Sequence, residues 1–276
     1  MLIAKSKEKR TMLELINVHK TFNIGTVNEK RALTGVELTV EDGDFITVIG
    51  GNGAGKSTML NSIAGVFGIE SGSICIDGKD ITRLPEYKRA KFLGRVFQDP
   101  MIGTAANMNI EENLALANRR GKIRGLGWGV SKKEKGFFKD KLATLGLGLE
   151  NRLTSKVGLL SGGQRQALTL LMATLKQPRL LLLDEHTAAL DPKTAQKVLK
   201  ITQDITEENK LTAIMVTHNM KDAIKMGNRL VMMHGGKIIF DVKGEEKSNL
   251  QVADLLAKFD EVSGGEFAND RMLLVK

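Results

Sequence analysis

The chain has 276 residues, 42% apolar and 26% charged, which suits one large globular domain or two small ones and excludes a disordered polypeptide. Lys and Arg number 41 and Asp and Glu 32, a formal charge of +9 that favours anionic partners without choosing among nucleotide, nucleic acid and membrane surface. The single cysteine, Cys75, excludes a disulfide framework and a multi-cysteine zinc site and points to a reducing compartment. No apolar run approaches the ~20 residues of a membrane span, and the first residues lack the apolar core of a secretory signal, so a cytoplasmic location is expected.

Strand-like runs open the chain. LELINV (13–18) and VELTV (36–40) are β-branched and partly alternating, as half-exposed strands are. FITVIG (45–50) is almost continuously apolar, which suits a strand buried on both faces of a parallel sheet. A helix is expected over 58–64 and another half-exposed strand over SICID (73–77). Residues 99–160 contain no strand run. Helical patterns at 110–120 and 135–147 flank a glycine-rich basic link at 121–133. From Arg119 to Lys141 there are nine basic and two acidic residues, read either as a solvated surface or as a contact for anionic headgroups or a partner.

Buried strands return with LLLLD (180–184) and TAIMVTH (212–218). Between them Val198, Ile201, Thr202 and Ile205 repeat as one face of a helix. RLVMMHGGKIIFD (229–241) reads as a hairpin turning at Gly235 and Gly236, and a last helix is expected over 248–259 with Ser248 as its N-cap. Strands alternating with helices predict an α/β sheet, with a small antiparallel β-subdomain attached. The expected organisation is a core of 12–98 and 160–245, an inserted helical subdomain over 99–159, and a helical tail over 246–276.

Three motifs carry chemistry. GGNGAGKST (50–58) contains G-x-x-x-x-G-K-S between a buried strand and a helix. A glycine-rich backbone can turn several N–H groups onto phosphate oxygens at a helix N-terminus. Gly50, Asn52, Gly53, Ala54, Gly55, Lys56, Ser57 and Thr58 are therefore candidate nucleotide ligands, with Lys56 on the β- and γ-phosphates and Ser57 on Mg²⁺. In LLLLDEHTAALD (180–191), Asp184 ends a buried strand, where a carboxylate needs a cation, and Glu185 follows in position to polarise a water. In LLSGGQRQAL (159–168), Ser161 suits an N-cap. A cap does not need the two following glycines, which make sense if a phosphate approaches the backbone.

Taken along the chain as phosphate loop, glutamine loop, signature, acid strand and switch histidine, the motifs resemble the ATP-binding subunit of an ATP-binding cassette (ABC) transporter, over nearly all of residues 12–245. The resemblance implies a RecA-like P-loop NTPase core with the β-subdomain and helical insert, and ATP and Mg²⁺ as ligands. It implies that Gln98 of VFQDP touches Mg²⁺ or the attacking water, and that Asp184 joins Ser57 at the metal. It places Ser161, Gly162, Gly163 and Gln164 on the γ-phosphate of an ATP held by a second copy. Asp191 of AALD would lie at the dimer seam, and His218 of VTHN would contact the γ-phosphate and orient Glu185. Phe22 in HKTFNIG best matches the aromatic that stacks on adenine. One departure is His186, where many members carry proline.

The resemblance also implies a head-to-tail homodimer working on separate permease subunits at the cytoplasmic face of the plasma membrane. The run from Gly25 to Thr58, with EHTAALDP, resembles a bacterial uptake subgroup associated with an extracytoplasmic substrate-binding protein and amino-acid-like solutes. Export or lipoprotein release is the alternative direction. A soluble ABC ATPase acting on nucleic acid or ribosomes is a further alternative, but the paired cassettes or long coiled coils usual there are lacking, so no nucleic-acid partner is expected.

Overall fold

The computed structural model describes residues 10–121 and 129–263. The chain opens with β1 (Thr11–Phe22) and β2 (Lys30–Glu41), then β3 (Phe45–Ile49), buried along its whole length. Next come α1 (Lys56–Ala64), β4 (Ser71–Ile76), β5 (Lys79–Asp80), the single turn α2 (Glu86–Arg89) and β6 (Leu93–Val96). Helices α3 (Ile110–Asn118), α4 (Lys132–Ala143) and α5 (Gly162–Thr174) follow, and then β7 (Leu180–Asp184), α6 (Pro192–Glu208) and β8 (Thr212–Val216). The chain continues through α7 (Met220–Lys225), β9 (Arg229–His234), β10 (Lys237–Lys243), α8 (Glu245–Ser248) and α9 (Val252–Ser263).

Two sheets result. β2-β1-β4-β5 is antiparallel, and β10-β9-β3-β8-β7-β6 is parallel except for its edge strand β10. The apolar strands β3, β7 and β8 lie in the middle of the second sheet because both its faces are covered. One face packs with α1 against the antiparallel sheet through residues such as Ile46, Leu182, Ile63 and Leu13. The other packs through Leu181, Leu183 and Met215 against Leu170 of α5 and Leu199 of α6. Phe138 and Leu142 of α4 belong to this second cluster, so the helices between β6 and α5 share a core with the sheet.

Local rules set several boundaries. α4 starts three residues before the expected 135, at a capping box in which Ser131 Oγ accepts from Glu134 N (3.2 Å) and Glu134 Oε2 accepts from Ser131 N (2.9 Å). The hairpin turns at Gly235 and Gly236 as expected. β6 has no counterpart in the sequence reading. Ser248 is not the N-cap of the last helix. It ends α8, its hydroxyl donates back to Gly244 O (3.1 Å), and α9 starts four residues later, where Asp254 Oδ2 accepts from Gln251 N (2.8 Å). Part of the basic 121–133 link (122–128) and of the 246–276 tail (264–276) lies outside the described residues. Among the described residues no helix is long and apolar enough to cross a membrane.

Candidate nucleotide site

The loop between β3 and α1 is shaped by its contacts with other strands. Gly55, the residue before α1, has φ 101°, and a Cβ there would stand 2.6 Å from Ala32 O of β2. No side chain caps α1, so its first N–H groups are left for an external acceptor at the positive end of the helix. Lys56 is 5% exposed and curls back over the loop, its Nζ donating to Gly50 O (2.7 Å) and Gly51 O (2.9 Å). At the far end of α1 the buried Arg89 donates to Ser62 O (2.7 Å) and Ile63 O (2.9 Å), a cation at the negative pole of the helix.

Two carboxylates follow β7. Asp184 Oδ1 accepts from Ser57 Oγ at 3.3 Å. Burial pushes the Asp184 carboxyl above its ordinary range, and the charge of Glu185 adds to this against the opposing effects of Ser57, Arg95 and Lys56. The charged form is thus short of positive partners. A hydroxyl, a carboxylate and the nearby Gln98 amide are hard oxygen donors of the kind Mg²⁺ takes, with phosphates and waters completing its shell. Among the described residues there is no group of three His, Cys, Asp or Glu that could hold a metal ion.

Glu185 is held in the left-handed region at φ 46°, its N–H donating to Val216 O (3.0 Å) and its C=O accepting from Ala188 N (2.9 Å). Its Oε1 lies 2.5 Å from His218 Nε2. A carboxylate can only accept, so Nε2 donates and the pair is fixed in one orientation. His218 sits between β8 and α7, whose N-cap Asn219 accepts from Asp222 N (3.0 Å).

A cleft of about 490 Å³ gathers these parts: Phe22, Asn52 to Thr58, Gln98, Glu185 and His218. Phe22 meets Phe67 edge-on at 5.2 Å, with Lys20 Nζ 5.2 Å from its ring. The cleft is also lined by Lys30 and Ala32, which the sequence reading did not single out. Ser161, Gly162, Gly163, Gln164 and Asp191 do not line it.

Ser161 is the N-cap of α5, with Oγ accepting from Gln164 N (3.3 Å) and Gln164 Oε1 accepting from Ser161 N (3.2 Å). Of the two glycines after it, Gly163 has an internal reason. A Cβ on Gly163 would stand 2.2 Å from Thr194 Cγ2 of α6, so close packing of α5 and α6 requires Gly163 whatever binds there. Packing against Thr194 is a reason for Gly163 that stands beside phosphate approach. Gly162 is exposed, and a Cβ there would stand 3.2 Å from Leu190 Cδ2. Asp191 caps α6, accepting from Thr194 N (3.1 Å), a hydrogen bond that lowers its carboxyl. Gln166, one turn into α5, is buried and donates to Phe97 O (3.0 Å), which ties the helix after Ser161 to the segment carrying Gln98. Its signal in sequence was only a long polar residue on a mostly apolar helix.

His186 is buried against α6, its Nε2 2.9 Å from Thr202 Oγ1. Thr202 Oγ1 also lies 2.9 Å from Val198 O, so the hydroxyl bridges the ring and the α6 backbone. Burial lowers the imidazole from 6.5 to about 4. In that interval the unfolded chain binds a proton that the folded ring does not. Stability from this group is therefore complete above pH 6.5 and lost as pH falls towards 4. The expected loss between pH 7 and pH 5 is about 2 kcal/mol. Denaturant unfolding of the wild type and His186→Gln at both pH values checks this, and equal pH slopes in the two proteins would contradict it.

The profile of the ABC transporter family matches residues 33–188. The chain is 45% identical over 249 residues to a tyrosine transport ATP-binding protein of Clostridioides difficile, covering 90% of this chain and 99% of that protein. It is 36% identical over 209 residues to the thiamine import ATP-binding protein ThiQ of Salmonella choleraesuis, covering 76% of this chain and 84% of the relative. A solved dimeric ATP-binding cassette, MJ0796, in a post-hydrolysis state bound to ADP and Pi, matches with a TM-score of 0.72 at 30% identity, over 84% of this chain and 98% of that one.

Proposed function

The chain belongs to the ABC transporter family as an ATP-binding subunit and is an ATPase; from that premise we propose that two copies, head to tail, close around two ATP molecules to drive import of an amino-acid-like solute through separate permease subunits. The observation that carries the two-copy arrangement is the content of the cleft. It holds the phosphate loop, Gln98, Glu185 and His218, whereas Ser161 to Gln164 stand elsewhere on the chain. A second copy supplies them from outside.

In this reading Phe22 stacks on the base. The N–H groups from Asn52 to Thr58 and the Lys56 ammonium hold the β- and γ-phosphates. Lys56 exchanges its carbonyl partners at Gly50 and Gly51 for phosphate oxygens. Ser57, Asp184 and Gln98 hold Mg²⁺, which when bound neutralises charge on the phosphates. Glu185 accepts a proton from the attacking water while His218 keeps it in place. The exposed Ser161 and Gly162 of the second copy meet the γ-phosphate, with Asp191 at the seam. Hydrolysis removes those contacts and lets the dimer reopen, a two-state element biased by nucleotide.

Import is favoured by the relatives, one named for tyrosine transport and one for thiamine import. An extracytoplasmic binding protein would deliver the solute to the permease, with this chain on the cytoplasmic face of the membrane. Ser161→Arg tests the arrangement. The closed dimer is expected to be lost and the ATPase rate to fall below a tenth, while ATP still binds one copy. The lost cap costs α5 about 1 kcal/mol, which a parallel melting curve accounts for. A wild-type rate in this variant would overturn the head-to-tail arrangement.

A further inference from the structure

We propose that Lys30 is a nucleotide-binding residue that holds an inner phosphate of the bound nucleotide; this rests on the ATP-site reading above. Lys30 is the first residue of β2 and the direct cross-strand partner of Phe22. Paired residues of an antiparallel ladder project their side chains to the same face of the sheet. The ammonium reaches across to the phosphate loop, where Nζ lies 3.3 Å from the place a Cβ on Gly53 would occupy. It lines the same cleft as Phe22 and Lys56.

The other charges nearby are already engaged. Lys20 lies 3.7 Å from Glu70 and also over the Phe22 and Phe67 rings. Lys56 donates to the loop carbonyls. Glu29, next in sequence to Lys30, turns its carboxylate into its own loop, accepting from Gly25 N (2.9 Å). Among the described residues no carboxylate pairs with Lys30. An exposed lysine with three free donors over a phosphate-binding loop offers a point charge to an anion.

Position decides which phosphate. The terminal phosphates go to Lys56 and Ser57 at the start of α1, and the base goes to Phe22. Lys30 pairs with Phe22 across the ladder, and its Nζ stands 3.3 Å from where a Cβ on Gly53 would lie, three residues before Lys56, so the phosphates nearest the ribose pass beneath it. Such a contact is the same in the ground state and the transition state. Its loss raises KM and leaves kcat in place.

The test is binding of ATP and ADP, and steady-state hydrolysis, for Lys30→Met, Lys30→Arg and, as a reference, Lys56→Ala. Lys30 is exposed, so its replacement leaves the core untouched. Lys30→Met is expected to weaken ATP and ADP alike by about three- to tenfold, raise KM by the same factor, and make binding less sensitive to salt. Lys30→Arg is expected to retain most of the affinity. Loss of ATP affinity with ADP unaffected would overturn the inner-phosphate assignment. Wild-type affinities in Lys30→Met, with binding lost in Lys56→Ala, would overturn the role of Lys30 alone. Wild-type binding in Lys56→Ala would overturn the ATP-site reading on which it rests.

Discussion

Glu185→Gln is expected to slow ATP hydrolysis by about 10²–10⁴-fold while ATP binding persists. The amide keeps the size of the carboxylate and can still accept from His218 Nε2, now 2.5 Å from Oε1. It cannot take a proton from water. The left-handed turn at φ 46° is held by backbone hydrogen bonds to Val216 and Ala188, so the substitution leaves its geometry alone. Blocked in the ATP state, two copies should elute together on gel filtration with ATP and Mg²⁺ and separate without nucleotide. Phosphate release measured in a single turnover reads the rate directly, and an undiminished rate would remove Glu185 from the role of base.

Lys56→Ala is expected to weaken ATP binding at least about 100-fold. Two effects act in the same direction. The variant loses a charge-assisted contact with the phosphates. In the free chain it also removes the ammonium that now pairs Gly50 O and Gly51 O, so a less ordered loop has to be ordered as ATP binds. Calorimetric titration with ATP measures the change, and an affinity within a few-fold of the wild type would contradict the phosphate-loop reading.

The placement of the candidate site was legible where particular residues stand at fixed spacing in one stretch of chain. The loop from Gly50 to Thr58 and the acids at Asp184 and Glu185 lie directly after strands whose apolar runs could be read without any tertiary knowledge. β6 escaped because it is four residues long and Gly94 and Arg95 break its apolar pattern. Ser248 misled because the tail is divided. Lys247 is buried and donates to Ile224 O (3.0 Å) and Gly227 O (2.9 Å), which anchors α8 as a separate turn before α9.

The reason for Gly163 lies in Thr194, thirty-one positions away and visible only once α5 and α6 pack. Lys30 was hidden for a similar reason. β1 and β2 shift register between Leu15 and Val18 and again between Lys20 and Thr21, so no count along the strands places Lys30 opposite Phe22. His186 is fixed by a buried hydrogen bond to Thr202 that no local pattern announces.

The claim on which the account turns is that each ATP is enclosed by two copies of the chain. A crystal structure with Mg²⁺ and a slowly hydrolysed ATP analogue tests it most directly. The account requires the triphosphate on the loop from Gly50 to Thr58 of one copy, with Ser161 and Gly162 of the other within hydrogen-bond distance of the γ-phosphate. A triphosphate fully enclosed by one copy, with Ser161 distant from any nucleotide, would contradict it.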